Sequence, residues 1–126
     1  MDLRESGENY LEAILVLEQR TGSVRSIDVA NHLGFTKPSV SRAVSILKNA
    51  DYLWMDHDGS LHLTDAGRKI AEDIYERHSL LTEYLVALGV NRETAAEDAC
   101  RIEHVISAES FEKIKEHARR GQPKGL

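Results

Sequence analysis

Long apolar stretches are missing from this chain. No run approaches the ~18 residues of a membrane span, and the opening Met1-Asp2-Leu3-Arg4-Glu5 is too polar for the apolar region of a secretory signal. A cytoplasmic protein that engages no membrane is the expectation. Cysteine is nearly absent: Cys100 is the only one, so no disulfide can form within the chain, and a lone thiol fits a reducing compartment. An excess of positive charge is lacking too. The net charge of -5 argues against a protein that simply coats nucleic acid, because non-specific affinity comes from neutralising phosphates with Lys and Arg. Length sets a further bound, since 126 residues hold one ordinary domain, or a small domain with a helical appendage, and not a large enzyme.

What is present is a soluble, globular composition, 41% hydrophobic and 29% charged, with an uneven charge distribution. Lys37, Arg42 and Lys48 lie between Thr36 and Asn49 without a single acid. Between Glu72 and Glu103, acids outnumber bases: Glu72, Asp73, Glu76, Glu83, Glu93, Glu97, Asp98 and Glu103 against Arg77, Arg92 and Arg101. One segment can face phosphate and the other cannot.

Periodicity predicts a mainly helical chain. After Ser6, the run Tyr10, Leu11, Ile14, Leu15 and Leu17 reads as a helix that ends near Thr21-Gly22. Ser26 then reads as the N-cap of a two-turn helix over 27–33, stopped by Gly34. Thr36 caps a third helix to about Ala50, with Pro38 in its first turn and Val40, Ala43, Val44, Ile46 and Leu47 as its buried stripe. Tyr52-Leu53-Trp54-Met55 and Leu61-His62-Leu63 flank the polar tip Asp56-His57-Asp58-Gly59-Ser60 as a β-hairpin, in which Tyr52 and Trp54 are expected in the core. Thr64 opens a long helix to Gly89, Asn91 begins another through about His104, and Ser107 caps a last one. The segment 119–126 is expected to be a disordered tail.

Helix, tight turn, second helix and hairpin is the order of a winged helix-turn-helix, whose second helix enters the major groove of double-stranded DNA. The candidate DNA-contacting residues are Arg25 and Ser26 at the start of the motif and Thr36, Lys37, Pro38, Ser39, Ser41 and Arg42 at the head of the recognition helix. A helix N-terminus offers free N–H groups to phosphate, and Arg42 has the fork geometry for a bidentate contact with guanine. Specificity should rest mainly on Ser39, Ser41 and Arg42. The acidic tip suits a mainly structural wing.

A second constellation is metal-ligating by residue type. Cys100, Glu103 and His104 stand at i, i+3 and i+4, on one face of the expected helix. Asn9 and Glu12 are spaced i, i+3 on the first helix, and His78 projects from the long one, so that thiol, imidazole and carboxylate donors come from three helices.

With these residues in view, the chain resembles the iron- and manganese-dependent repressors typified by the diphtheria toxin repressor and the manganese transport regulator. The resemblance runs to about Ala118. It is carried by Glu8-Asn9-Tyr10-Leu11-Glu12, Lys37-Pro38-Ser39-Val40-Ser41, Leu63-Thr64-Asp65-Ala66-Gly67, Arg77-His78-Ser79-Leu80-Leu81 and the stretch from Asp98 to Ser107. It implies an N-terminal winged helix-turn-helix over 1–63 and a C-terminal helical dimerisation and metal-binding domain over 64–118, in the short form without an SH3-like domain. It also implies a homodimer that binds operator DNA, usually as a repressor of metal-homeostasis genes, when Fe(II) or Mn(II) is bound. Glu12, His78, Cys100, Glu103 and His104 match ligand positions of the family, whereas Asn9 stands where the iron branch has Met and the manganese branch Asp. Glu12 sides with the manganese branch and Cys100 with the iron branch. Thr82 and Ala96 replace the further ligands of the iron branch's second site. Thiolate and imidazole donors tilt the balance towards Fe(II), and oxygen donors towards Mn(II). Neither catalysis nor an organic substrate is expected. The alternatives are a metal-independent winged-helix regulator sensing a small organic ligand and, from another class, a small metalloenzyme.

Overall fold

The computed structural model describes residues 5–120, and of Glu5 only the backbone. The chain divides into two compact units, one ending at Asp73 and the other beginning at Ile74. Element order is α1 (Glu5–Thr21), α2 (Ser26–Leu33), α3 (Lys37–Asn49), β1 (Leu53–Met55), β2 (Leu61–Leu63), α4 (Asp65–Ala87), α5 (Arg92–Ile102) and α6 (Ala108–Arg120). Among the described residues, no helix is long and apolar enough to cross a membrane.

The first unit is closed by aliphatic side chains that recur at helical spacing. Leu11, Ile14 and Leu15 from α1, Val29 from α2, Val40, Val44 and Leu47 from α3, and Leu53, Leu61 and Leu63 from the hairpin form one cluster with Val24. Each such side chain contributes about 1.5–3 kcal/mol when fully buried. The turn between α2 and α3 uses Gly34 in the left-handed region (φ 74°), where its N–H reaches Ala30 O at 2.8 Å. Thr36 then caps α3, its hydroxyl accepting from Ser39 N at 3.3 Å. The two strands pair antiparallel with Trp54 opposite His62, and Leu61 N bonds Val24 O at 2.7 Å, tying the wing to the segment before α2.

Four expectations are corrected. Arg25, not Ser26, is the N-cap of α2: its N–H donates to Asp28 Oδ2 at 2.9 Å, and Ser26 is the first helical residue. Ile46 is 56% exposed, because it lies a third of a turn from the line through Val40, Val44 and Leu47. Trp54 is 51% exposed, since alternation along β1 sends Leu53 inward and its neighbour outward. Arg119 and Arg120 continue α6 instead of opening a tail, and 121–126 lie outside the described residues.

The junction of wing and α4 accounts for a glycine. Thr64 N bonds Tyr52 O at 3.1 Å, the Thr64 hydroxyl donates to Asp51 O at 2.8 Å, and Gly67 N returns to that hydroxyl at 3.1 Å. A Cβ on Gly67 would collide with Tyr52 O and stand 3.0 Å from the Tyr52 carbonyl carbon. Gly67→Ala should therefore destabilise the first unit by about 1–3 kcal/mol, as overpacking generally does. Urea denaturation of wild type and variant checks this.

In the second unit, Leu81 of α4, Ala99 of α5 and Phe111 of α6 form the core, flanked by Leu80, Ile102, Ile106 and Ile114. Asn91 caps α5 by accepting from Glu93 N at 2.9 Å, and Ser107 caps α6 by accepting from Ser110 N at 3.0 Å. Two polar contacts clasp α6 to α4: Lys115 Nζ to Glu76 Oε2 at 2.8 Å, and the Tyr84 hydroxyl with His117 Nδ1 at 2.8 Å.

Candidate metal centre and DNA interface

The head of α3 is a solvent-facing, acid-free surface. Thr36, Lys37, Pro38, Ser39, Ser41 and Arg42 are all exposed, and among the described residues neither Lys37 nor Arg42 is held in an ion pair. The hydroxyl of Ser39 accepts from Thr36 at 3.0 Å, so these two side chains also build the cap. Ser41 and Arg42 lie beyond the cap. Arg25 is exposed, with Nη1 next to Gly59 at the wing tip, while Ser26 is half-buried.

The wing carries an arrangement that sequence reasoning missed. Trp54 stacks on His62, with ring centroids 4.2 Å apart and planes at 21°, and His62 Nε2 lies 2.8 Å from Asp56 Oδ2. The other carboxylate oxygen of Asp56 accepts from Asp58 N at 2.8 Å and Ser60 N at 3.1 Å. The His62 hydrogen bond, followed by that from Ser60, lowers the Asp56 pKa from 3.8 to about 2. Because the folded-state value is depressed, its stabilising contribution is complete above 3.8 and disappears as pH falls towards about 2. Trp54, the only tryptophan, reports on it. Its emission should change between pH 4 and pH 2 in wild type, and that component should be absent in Asp56→Asn. The pairing of Trp54 with His62 was available in the alternation of the two strands; the tie to Asp56 depends on how the tip folds.

The second unit concentrates metal-ligand chemistry around Glu103. Sequence spacing placed Cys100, Glu103 and His104 on one continuous helix, but α5 ends at Ile102. Glu103 is its C-cap, and His104 belongs to the following turn. Glu103 is 0% exposed, and the His104 side chain is 1% exposed. His78 Nδ1, from α4, lies 2.9 Å from Glu103 Oε2. On the other side, His104 Nε2 is 3.3 Å from Oε1, without the alignment of a hydrogen bond, and Oε1 has no hydrogen-bond partner. A buried carboxylate oxygen left in this state costs stability unless something else engages it. Two imidazoles and a carboxylate converging there are a donor set that suits Fe(II), Mn(II) or Zn(II). The residues fit a divalent metal.

Cys100 is exposed on α5, unlike Glu103 and His104. Asn9 and Glu12 are half-buried on α1, in the first unit. Thr82 is buried, and its hydroxyl donates to His78 O at 2.7 Å, which braces the backbone under that histidine.

A winged helix-turn-helix joined in one chain to a helical unit with a buried carboxylate between imidazoles defines a metal-responsive transcriptional regulator. Comparison with known proteins gives the family. Residues 2–61 match the iron dependent repressor N-terminal DNA binding domain, and residues 64–122 match the iron dependent repressor metal binding and dimerisation domain. The chain belongs to the iron-dependent repressor family. It is 33% identical over 109 residues to the transcriptional regulator MntR of Salmonella typhimurium, covering 86% of this chain and 69% of that one. With the HTH-type regulator MntR of Geobacillus thermodenitrificans identity is 35%, over 86% and 77% of the two chains. Among solved structures, the manganese regulator SloR superposes with a TM-score of 0.80 at 25% identity, over 94% of this chain and 55% of that one. A manganese-dependent transcriptional repressor in complex with manganese gives 0.81 at 26%, over 92% and 54%. The chain thus spans about half the length of these solved proteins.

Proposed function

We propose that this protein is a homodimeric, cytoplasmic repressor that binds operator DNA when loaded with Fe(II) or Mn(II) and thereby controls metal-homeostasis genes. Residues 1–63 form the reading head and 64–118 the dimerising, metal-binding half. The observation that carries the reading is Glu103, a fully buried carboxylate with one oxygen lacking a hydrogen bond, set between His78 and His104. The ligands proposed are Asn9, Glu12, His78, Cys100, Glu103 and His104; the DNA contacts are Arg25, Ser26, Thr36, Lys37, Pro38, Ser39, Ser41 and Arg42. A divalent ion supplies the positive charge that a buried carboxylate needs. Asn9 and Glu12 belong to the reading head and the other donors to the dimerising half, so shared coordination restricts each head relative to its dimer. Two heads in register with half-sites one or more helical turns apart then bind together. Shifting such an equilibrium from 1:99 to 99:1 requires about 5.5 kcal/mol of differential affinity. Nothing in this scheme calls for an organic substrate or a catalysed reaction.

Carboxylate and imidazole donors serve both metals, and the sulfur of Cys100 tilts the choice towards Fe(II). The test is an anaerobic gel-shift titration on operator DNA selected from a random pool, with Fe(II), Mn(II) or chelator. Metal should strengthen binding by at least about 100-fold, and Cys100→Glu should move the ranking from Fe(II) towards Mn(II). Equal binding in chelator would leave a metal-independent regulator as the reading. An unaltered ranking in Cys100→Glu would remove the sulfur argument.

A further inference from the structure

The turn that carries Glu103 and His104 is held partly by local backbone hydrogen bonds and partly by one side chain from another helix. It follows the end of α5, where the last carbonyls of a helix lack intrahelical partners. Ala99 O accepts from Glu103 N at 2.9 Å, and Ile102 O accepts from both Val105 N and Ile106 N at 3.0 Å. The carbonyls of Glu103 and Ile106 are satisfied from far along the chain: Arg77 Nη1 donates to each at 3.1 Å. The guanidinium that makes both bonds lies over the Phe111 ring, 5.5 Å from its centroid. Arg77 thus links α4, the turn after α5 and the first turns of α6, all within the second unit. Its cation also sits at the negative end of α5, where a positive charge is favourable. Arg77 directly precedes His78 on α4, so one short stretch of helix presents a ring to the Glu103 carboxylate and a fork to the Glu103 carbonyl.

We propose that Arg77 is the positioning residue of the metal-bearing turn, its guanidinium completing the C-terminal cap of α5 and thereby fixing the backbone that holds Glu103 and His104. The inference rests on the reading of those two residues as ligands. Ligand orientation by groups outside the coordination sphere commonly sets metal affinity by about 10–100-fold. Arg77→Met keeps an apolar stem against Phe111 and removes both donors. Arg77→Lys keeps the charge, and because both bonds come from one nitrogen, an ammonium in its place can make them.

Co(II), followed by its d–d absorption, is titrated into the full chain under conditions where circular dichroism shows every variant folded. Arg77→Met should bind about 10–100-fold more weakly than wild type, and Arg77→Lys, which keeps a donor but loses the planar group over Phe111, should fall between the two. In the metal-free protein, Arg77→Met should speed amide exchange at Val105 and Ile106 by about tenfold while the middle of α5 keeps its wild-type rate. If Arg77→Met fails to fold, Arg77→Gln, whose shorter donor cannot span both carbonyls, should show the same pattern. Co(II) affinity equal to wild type in the variant overturns the proposal. So does exchange that accelerates evenly through α5 and α6, because Arg77 would then stabilise the whole unit without positioning the turn. Failure of the ligand reading shows up separately, without any Arg77 variant: wild type would give no Co(II) spectrum, or Glu103→Ala would bind as tightly as wild type, and Arg77's role would be refuted with it.

Discussion

Glu103→Gln should make the metal-free protein more stable and the metal-dependent protein inactive. A buried carboxylate held by one histidine hydrogen bond, its other oxygen unsatisfied, has lost most of its hydration without full replacement. Exchanging an incompletely compensated buried charge for a neutral group of the same shape removes the cost of keeping that charge out of water. For a chain of this size each kcal/mol moves the melting temperature by about 3–6 °C. The amide keeps one acceptor for His78 and offers an N–H₂ in place of Oε1, but it has no charge to give a cation. Metal affinity should fall by at least about 100-fold, equivalent to about 2.7 kcal/mol. Scanning calorimetry in chelator together with Co(II) titration measures both halves. A Gln variant less stable than wild type would mean that Glu103 is a structural ion-pair residue.

Arg42→Ala should cost operator binding about 1–3 kcal/mol, roughly a 5- to 150-fold loss, and relax preference at one base position. The residue is exposed, between one and two turns past the cap of α3, and among the described residues it has no ion-pair partner, so its loss should leave the melting temperature unchanged. Lys37→Ala should act differently. Loss of a lysine over phosphate weakens binding to all sequences alike and lowers the salt dependence by about one ion. Thr36→Ala should lower stability as well as binding, because its hydroxyl caps the recognition helix. Binding isotherms at several salt concentrations on matched and randomised duplexes separate these outcomes. A uniform loss for Arg42→Ala, with an unchanged sequence preference, would remove it from the reading set.

These variants fall along a line between local and long-range information. Gly34, Thr36 and Pro38 announce the turn and the start of α3 because their effects are confined to their own backbone, and the structure places the boundaries there. For Ile46 and Trp54, apolar residue type suggests burial while helical angle and strand alternation turn both outward, and the structure follows the geometry. The end of α5 has no local mark because no glycine or proline follows Ile102, and the carbonyls of Glu103 and Ile106 beyond it are met by Arg77 from 26 and 29 residues away. The residue types of the candidate metal centre were legible from chemistry alone. The contrast between a buried Glu103 and an exposed Cys100, three residues apart, was not, because it arises where helical geometry gives way to the turn.

The proposed switch requires metal and DNA to bind one protein state in mutual support. Coupling of this kind is reciprocal. The most direct measurement is anaerobic calorimetric titration of Mn(II) and of Fe(II) into the protein, with and without its selected operator duplex, paired with DNA titrations at saturating metal and in chelator. The factor by which DNA tightens metal binding should equal the factor by which metal tightens DNA binding, and both should vanish in the Glu103→Ala, His104→Ala double variant. Operator binding by that folded double variant, in chelator, as tight as that of metal-loaded wild type would contradict the proposed switch.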